Sequence, residues 1–596
     1  MKRTIISISA AALALVSLAS CSGTWEEKVN NEWDTKYVWG VAEIANGVLN
    51  RAYVDIPTTP DSYGSNYLDV ATDNAATSLF TSSAYKLSQG GISSMSNPLA
   101  IWAEAYRNIQ YVNSFLENGL GSDIKYNKVD AGLDQAYKKQ YYGEAHFLRA
   151  YWELQLLKTY GGKDAAGTAL GFPIRTYFVN TNSGAFFAVI NRNTYQECVD
   201  QILADCDTAA KYLPVAYTGD NVVTGSALIG KPTAIAAKTI KVIAALYGAS
   251  PAYQDDAVVK INGMADYEVV DAAAYASKWE TAALLANQLL ADPAFGPDYY
   301  ALANTDLADA PNTTPAEFIF RFFSNNRGVE SRHFPPYYFG KANTVPSQNL
   351  VDAYPMSNGY PIDDPASGYD PEHPYNGRDL RLYNTVYYDG SVFANSGAAM
   401  NMMDGGKDSY TYSEYGTKTG YYLKKGLSTK SLMLKPAATS NSQHYFPILR
   451  RAQVFFAYAE AANEAWGPMG KGPGCAYSAY DIMKMVRSVA GGINDTSYLD
   501  AVAASGTEAF AALIQNERRL EFAFENERYF DLRRRIMPLD EAVRGVRLSV
   551  SDEGKVVYDT DVVVSERKFN DIRYYYTPLP YDECAKNKYL VNNMGW

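Results

Sequence analysis

The stretch NERRLEFAFENERYFDLRRR, residues 516 to 535, sets six arginines and five carboxylates among Leu520, Phe522, Phe524, Tyr529, Phe530 and Leu532. Such a run could be a catalytic cluster, a polyanion-binding surface, or paired charge inside a fold. On a helical wheel Leu513, Leu520 and Phe524 share a face with Glu517, Glu521, Arg528 and Asp531, whereas a solvated helix would show one clean polar side. Arg518–Glu521, Glu525–Arg528, Arg528–Asp531 and Asp531–Arg534 stand at i,i+3, where helical side chains meet. Partly buried charges persist when paired and hydrogen-bonded, and the near balance of signs removes the polyanion reading. Glu517, Arg518, Glu521, Glu525, Arg528, Asp531 and Arg534 are therefore predicted to form an internal ion-pair lattice that holds the scaffold.

Other chemistry is harder to place. Glycoside hydrolysis needs two carboxylates roughly 5–10 Å apart, and among 65 acidic residues a sequence pair such as Asp363/Asp364 identifies nothing. His146, His333, His373 and His444 are scattered, and no nucleophile elbow or zinc helix is present. No catalytic residue, metal ligand or cofactor is predicted. Calcium is not indicated either: Asp69, Asp73 and Asn74, or Asp363, Asp364, Asp370 and Glu372, offer hard oxygens on turns without the loop spacing of an EF-hand. Aromatic side chains flanked by polar groups are the remaining signal, as 49 tyrosines, 23 phenylalanines and eight tryptophans occur. Rings can stack on the C–H faces of sugars, and tyrosine tolerates half-exposure. YGSNYLDVATDN offers Tyr63, Tyr67, Asp73 and Asn74; NNRGVESRHFPPYYFGK offers Arg327, Phe334, Tyr337 and Tyr338. GAFFAVINRN, with Phe186 and Phe187, is a third candidate.

The elements that would position these groups are mostly helical. NPLAIWAEAYRNIQYVNSFLENG, QAYKKQYYGEAHFLRAYWELQLLKTYGG and YQECVDQILADCDTAAKYLP carry apolar residues at 3–4 spacing and end at Gly or Pro. KPTAIAAKTIKVIAALYGASPAY, SKWETAALLANQLLAD, ILRRAQVFFAYAEAANEAWG and AYSAYDIMKMVRSVAG continue the series. Paired helices with small contact residues predict a helical-repeat architecture of the tetratricopeptide kind. From residue 296 to 445 the helical period gives way to Pro, Gly, Asn, Asp and Tyr, with short β-compatible runs in EFIFRFF and LYNTVYYDG. The domain reading is a leader over 1–20, a helical region over 21–295, a loop-rich lobe over 296–445, and a second helical region over 446–596. The fold class is mostly α with little β.

The leader has a basic start at Lys2 and Arg3 and an apolar run from Ile5 to Ala19, too short to cross a bilayer, which takes about 18 residues or more. It ends in LASC and resembles a lipoprotein signal, in which Cys21 carries the lipid anchor; Glu26 and Glu27 resemble an acidic surface-export signal. A net charge of −12 argues against nucleic acid. Cys198 and Cys206 lie too far apart along one helix to bridge.

Taken in order, the Cys21 signal, GEAHFLRAYWELQLLKTYGG, YPMSNGYPI, PYNGRDLRLYNTVYYDG, TGYYLKKG, RAQVFFAYAEAANEA, the 516–535 stretch and YTPLPYDECAKN resemble the SusD/RagB family over nearly the whole chain. The resemblance implies four tetratricopeptide-like helix pairs backing a variable lobe. It implies a non-enzymatic, surface-exposed outer-membrane lipoprotein that captures oligosaccharides and delivers them to a TonB-dependent, SusC-like transporter. The alternatives are the same lid holding peptides, as in the RagB branch, or a secreted glycoside hydrolase. Ligand contacts vary within the family, so none transfers by motif.

Overall fold

The computed structural model describes residues 35–179, 191–311, 313–394, 396–430, 434–435 and 440–596. Eight long helices build the scaffold: α1 (Trp102–Asn118), α2 (Ala131–Tyr160), α3 (Tyr195–Tyr212), α4 (Ala234–Ala249), α5 (Ala272–Leu290), α6 (Arg451–Trp466), α7 (Ala479–Val489) and α8 (Thr507–Glu521). A short helix, α9 (Arg528–Arg534), follows α8.

Local chemistry sets the boundaries. Thr194 and Glu197 close a capping box at the start of α3, and Asp130, Thr233 and Asp271 side chains accept the first free N–H groups of α2, α4 and α5. Each helix packs on the next in sequence from α1 to α5, and α5 then packs on α6. The alanine-rich faces allow this closeness. At Gly143 a Cβ would stand 3.0–3.1 Å from Tyr212 and Leu213, so α2 and α3 approach where a side chain would intrude.

The α5–α6 pair has an unusual connection: the whole loop-rich lobe is inserted between its two helices. The lobe begins and ends in one long antiparallel ladder. β2 (Phe318–Asn326) pairs with β4 (Ser442–Arg450), from Phe318 opposite Arg450 to Asn326 opposite Ser442. This ladder leads directly into α6, so the insertion leaves and re-enters the helical stack at one place. The EFIFRFF run is thus a strand as expected, whereas LYNTVYYDG splits into a short helix (Leu380–Thr385) and two strand residues, Val386 and Tyr387.

Two ladders that recruit residues from outside the 296–445 stretch complete the lobe. β1 (Ala75–Thr77) pairs with β3 (Thr344–Pro346), and β5 (Val543–Val550) forms a hairpin with β6 (Val556–Ser565). The lobe's core accordingly mixes Phe334, Tyr354, Tyr387, Phe393 and Tyr422 with Tyr67, Val70 and Ala76 from before the helical stack, Leu520 of α8, and Phe524, Val546 and Leu548 from after it. Two further cores lie within the helices, one around α1–α4 and one around α4–α8.

The charged stretch does not run as one helix. α8 ends at Glu521, and Phe524 (φ 59°) and Asn526 (φ 66°) turn the chain left-handed before α9. Of the four i,i+3 pairs expected, Asp531–Arg534 forms at 2.8 Å, within α9. The break takes the other partners elsewhere. Arg534, fully buried, clamps Glu460 of α6 with two bonds of 2.6 and 2.7 Å. Arg518 binds Asp531 at 2.7 Å and Glu527 at 2.9 Å, while Glu517 receives Arg487 of α7 and Arg381 of the lobe at 3.0 and 2.5 Å. Glu521 and Glu525 receive Arg450 at 2.9 and 2.8 Å, at the junction of β4 and α6. The charges therefore join α6, α7, α8, α9 and the lobe.

Candidate functional site

The structure divides the sequence-selected residues sharply. Tyr67, Asp73, Asn74, Phe334 and Tyr338 are buried, Tyr63 is half-buried, and Arg327 and Tyr337 are exposed. Asp73 lies inside the ion-pair lattice rather than on a binding loop. It meets Arg519 at 2.8 Å and Arg528 through two bonds of 3.1 Å, and those cations hold its carboxyl well below the usual range against the opposing effect of burial. Asn74 accepts from Arg519 at 2.7 Å and donates to Asp69 at 3.0 Å. Tyr67 packs edge-on against His333 and Phe524 at 5.1 and 5.7 Å. Such closed environments leave no ring face or carboxylate for a ligand. Phe186, Phe187 and Cys21 lie outside the described residues.

Tyr337 is the selected residue that does reach solvent in an aromatic group. Its ring stands edge-on to Tyr412 at 5.9 Å, with the Lys407 ammonium 5.1 Å from its centre. Tyr337, Phe339, Tyr410, Tyr412 and Tyr415 are between 39 and 55% exposed, and all five belong to two turns of the lobe. Beneath them Tyr338 stacks on Phe393 at 3.9 Å, and Phe334 meets Phe393 edge-on at 5.0 Å. The buried tyrosine and phenylalanines thus serve as a foundation for exposed rings.

The Tyr410–Tyr415 turn is firmly tied. Lys407 pairs with buried Asp408, whose carboxylate also accepts the Asn401 N–H at 2.8 Å. The Tyr422 hydroxyl donates to the Asp408 carbonyl at 3.1 Å. The Thr417 hydroxyl donates to the Tyr421 carbonyl at 2.6 Å, and its oxygen accepts the N–H groups of Thr419, Gly420 and Tyr421. Gly420, with φ +82°, passes so close to Val546 that a Cβ would stand 2.6 Å from it.

A cleft of about 470 Å³ adjoins this turn. Its lining takes Val70, Ala76, Thr77, Phe80 and Tyr85 from one segment of the chain and Lys418, Arg547, Val563, Arg567 and Lys568 from others. Arg547 joins cleft to platform, its guanidinium lying 4.2 Å from the centre of the Tyr410 ring. On the far side the Ser78 hydroxyl donates to the Ala342 carbonyl at 3.4 Å, linking the Phe80 segment to the turn that carries Tyr337. Exposed rings, a concave floor and convergent polar groups thus share one face of the lobe. A larger cleft, about 720 Å³, lies between α7, α8 and the lobe, but Tyr498 is its single aromatic lining residue, and its arginines Arg487, Arg519 and Arg544 face Glu517, Asp73 and Asp352 as ion partners.

Tyr410, Tyr412, Tyr415, Phe339, Phe80 and Arg547, which the structure gathers on this face, were not among the residues selected from the sequence. The signal was present in SYTYSEYG, where three tyrosines recur within a Ser- and Gly-rich turn that offers them no helical or strand face. The turn acidics have structural partners: Asp364 caps Ala366 N–H at 2.8 Å, Asp370 meets His373 at 2.8 Å, and Glu372 meets Lys555 at 3.1 Å. Among the described residues no group of three or more His, Cys, Asp or Glu side chains is arranged to hold a metal ion.

Two family models match the chain, one described as the SusD family over residues 316–596 and one as starch-binding associating with outer membrane over residues 25–236. The chain belongs to the SusD family. Solved structures of SusD-like proteins share its fold end to end. A SusD-like protein from Bacteroides fragilis superposes with a TM-score of 0.70 at 22% identity, covering 95% of this chain and 99% of its own. A SusD-like carbohydrate binding protein from the same organism gives 0.64 at 18%, covering 93 and 99%. Surface glycan-binding protein A from Bacteroides fluxus gives 0.55 at 17%, covering 93 and 99%. None of the curated proteins matches the chain. The helix pairs and inserted lobe described above are therefore the SusD-like fold, and the 516–535 lattice and the tyrosine platform both fall within the SusD family match.

Proposed function

We propose that this SusD-family protein is an outer-membrane lipoprotein, exposed at the cell surface, that captures an oligosaccharide on the tyrosine platform and passes it intact to a TonB-dependent, SusC-like transporter. The observation that carries this reading is the Tyr337–Tyr412 group: several rings held half-exposed on a braced turn beside a cleft, where sugar faces can stack and neighbouring polar groups can bond hydroxyls. The family description as starch-binding and outer-membrane associated, and the carbohydrate-binding names of two structural relatives, support it. Residues 1–20 would be removed as a signal peptide, leaving Cys21 to carry the lipid. The regions 21–295 and 446–596 would form the helical scaffold that meets the transporter, and 296–445 most of the ligand-facing lobe. The protein would bind without bond cleavage and without a cofactor.

Isothermal titration of the purified mature protein against plant and host oligosaccharides, with reducing ends assayed in the same samples, tests this. Saturable binding without new reducing ends is expected. Release of reducing ends would overturn the non-enzymatic reading, and binding confined to oligopeptides would move the protein to the RagB-like alternative.

A further inference from the structure

The cleft beside the platform has an unusual charge pattern for so acidic a chain. Many interior arginines elsewhere are matched to carboxylates, as Arg149 is to Asp205, Arg450 to Glu521, Arg528 to Asp73 and Arg534 to Glu460, while buried Arg192, Arg378, Arg451 and Arg533 rest on backbone carbonyls. In the cleft Lys418, Arg547, Arg567 and Lys568 make no ion pair among the described residues, and Glu566 is the single carboxylate in the lining. Arg567 is buried beneath the floor and spends its guanidinium on neutral oxygens, the Thr72 and Ala75 carbonyls at 2.9 and 2.6 Å and the Ser565 hydroxyl at 3.0 Å. Burial lowers its pKa to about 10, still cationic at neutral pH. Asp73, behind it, is already neutralised by Arg519 and Arg528. Arg547 donates one N–H each of Nη1 and Nη2 to the Val546 and Lys418 carbonyls, both at 3.0 Å, which leaves Nε–H and the second N–H of each Nη. Asp559 faces Arg547 across the β5–β6 hairpin without closing an ion pair. The Lys418 ammonium has one partner, the Glu414 carbonyl at 3.2 Å, and the Lys568 side chain is exposed.

Unneutralised cations around an apolar floor of Val70, Ala76 and Val563 form a site that an anion would complete. The aromatic pair Phe80–Tyr85, 5.0 Å apart at the rim, offers a ring face at the same place. Through Arg547 and Tyr410 the site is continuous with the platform.

We infer that the ligand is an acidic oligosaccharide, with a carboxylate- or sulfate-bearing sugar seated among Arg547, Lys418 and Lys568 over the Arg567 charge while a neighbouring sugar stacks on the Tyr410–Tyr412 turn. This inference rests on the glycan-binding reading and narrows its substrate class. The sign of the cleft opposes that of the whole chain, whose net charge is −12. A polyanion without a sugar backbone is therefore repelled by the remaining surface and gains nothing from the rings.

The test is titration with oligogalacturonate, a chondroitin sulfate oligosaccharide, the carboxyl-reduced neutral form of the first, and poly-L-glutamate of matched charge. At least one acidic saccharide is expected to bind about tenfold or more tighter than the neutral form, equivalent to ~1.4 kcal/mol. That ratio should fall as salt is raised from about 0.05 to about 0.5 M, and fall again in Arg547→Gln and in the surface variant Lys568→Gln. A preference for the sulfated over the carboxylated saccharide, or the reverse, identifies the anion. Equal affinity for neutral and acidic forms, a ratio untouched by both variants, or equal binding of poly-L-glutamate would overturn the inference and leave the platform reading standing. Failure of every saccharide to bind would overturn both.

Discussion

At the scale of single residues, the aromatic candidates divide by burial. Tyr67, Phe334 and Tyr337 look alike in sequence, as aromatics in Gly-, Pro- and Asn-rich loops. Burial separates them, and burial depends on contacts made from far along the chain: Tyr67 meets Phe524, and Tyr337 meets Tyr412. Asp73 was legible as a polar group beside aromatics, but its arginine partners lie more than four hundred residues later. Phe334→Ala should lower unfolding free energy by about 3–5 kcal/mol, read from a urea transition, because it hollows the base of the platform. Tyr337→Ala should change stability by less than ~0.5 kcal/mol. The buried carboxylates make opposite pH predictions. The folded pKa of Asp73 is depressed by its arginines, so its stabilisation is complete above the ordinary carboxylate pKa and is lost as pH falls through the folded value. Asp73→Asn should therefore flatten the acid limb of a stability–pH curve. Glu153 is the reverse: burial foremost, with Asp205 nearby, raises its pKa well above the ordinary value. The fold favours its protonated form, a contribution that declines as pH rises above the unfolded value. Glu153→Gln should gain stability relative to the parent with rising pH, followed as melting temperature between about pH 4 and 8.

At the scale of elements, apolar periodicity and end signals located the long helices because each buries a continuous stripe. Two features escaped it. The β5–β6 hairpin lies within a C-terminal region read as helical, although VRGVRLSV and VVYDTDVVVS alternate around the turn-forming SDEGK. The break between α8 and α9 occurs in FAFENE, which contains no Gly or Pro; Asn526 is the one residue there with a known tolerance for left-handed backbone. That break matters because it aims Arg534 at α6 and Arg528 at Asp73. Removing one member of a buried pair strands its partner's charge, so Arg534→Ala should cost about 3–5 kcal/mol. Replacing Arg534 and Glu460 together by Met and Leu should recover much of that loss in the same denaturation assay. Arg528→Ala should likewise lower stability while the folded fraction keeps its affinity for saccharide.

At the scale of the whole molecule, the lobe is inserted between α5 and α6, and the β2–β4 ladder that leads into α6 anchors the turns between them to the helical stack. The membrane end of the account rests on Cys21. Cys21→Ala should abolish incorporation of labelled palmitate and move the protein from the membrane fraction to the soluble one. The most direct measurement of the central claim is calorimetric titration of a bound oligosaccharide against the parent protein, Tyr337→Ala and Tyr412→Ala, with melting temperatures taken on the same samples. The platform account predicts an affinity loss of about tenfold or more in each variant, ~1.4 kcal/mol, at an unchanged melting temperature and without reducing-end release. Undiminished affinity in both variants would contradict it.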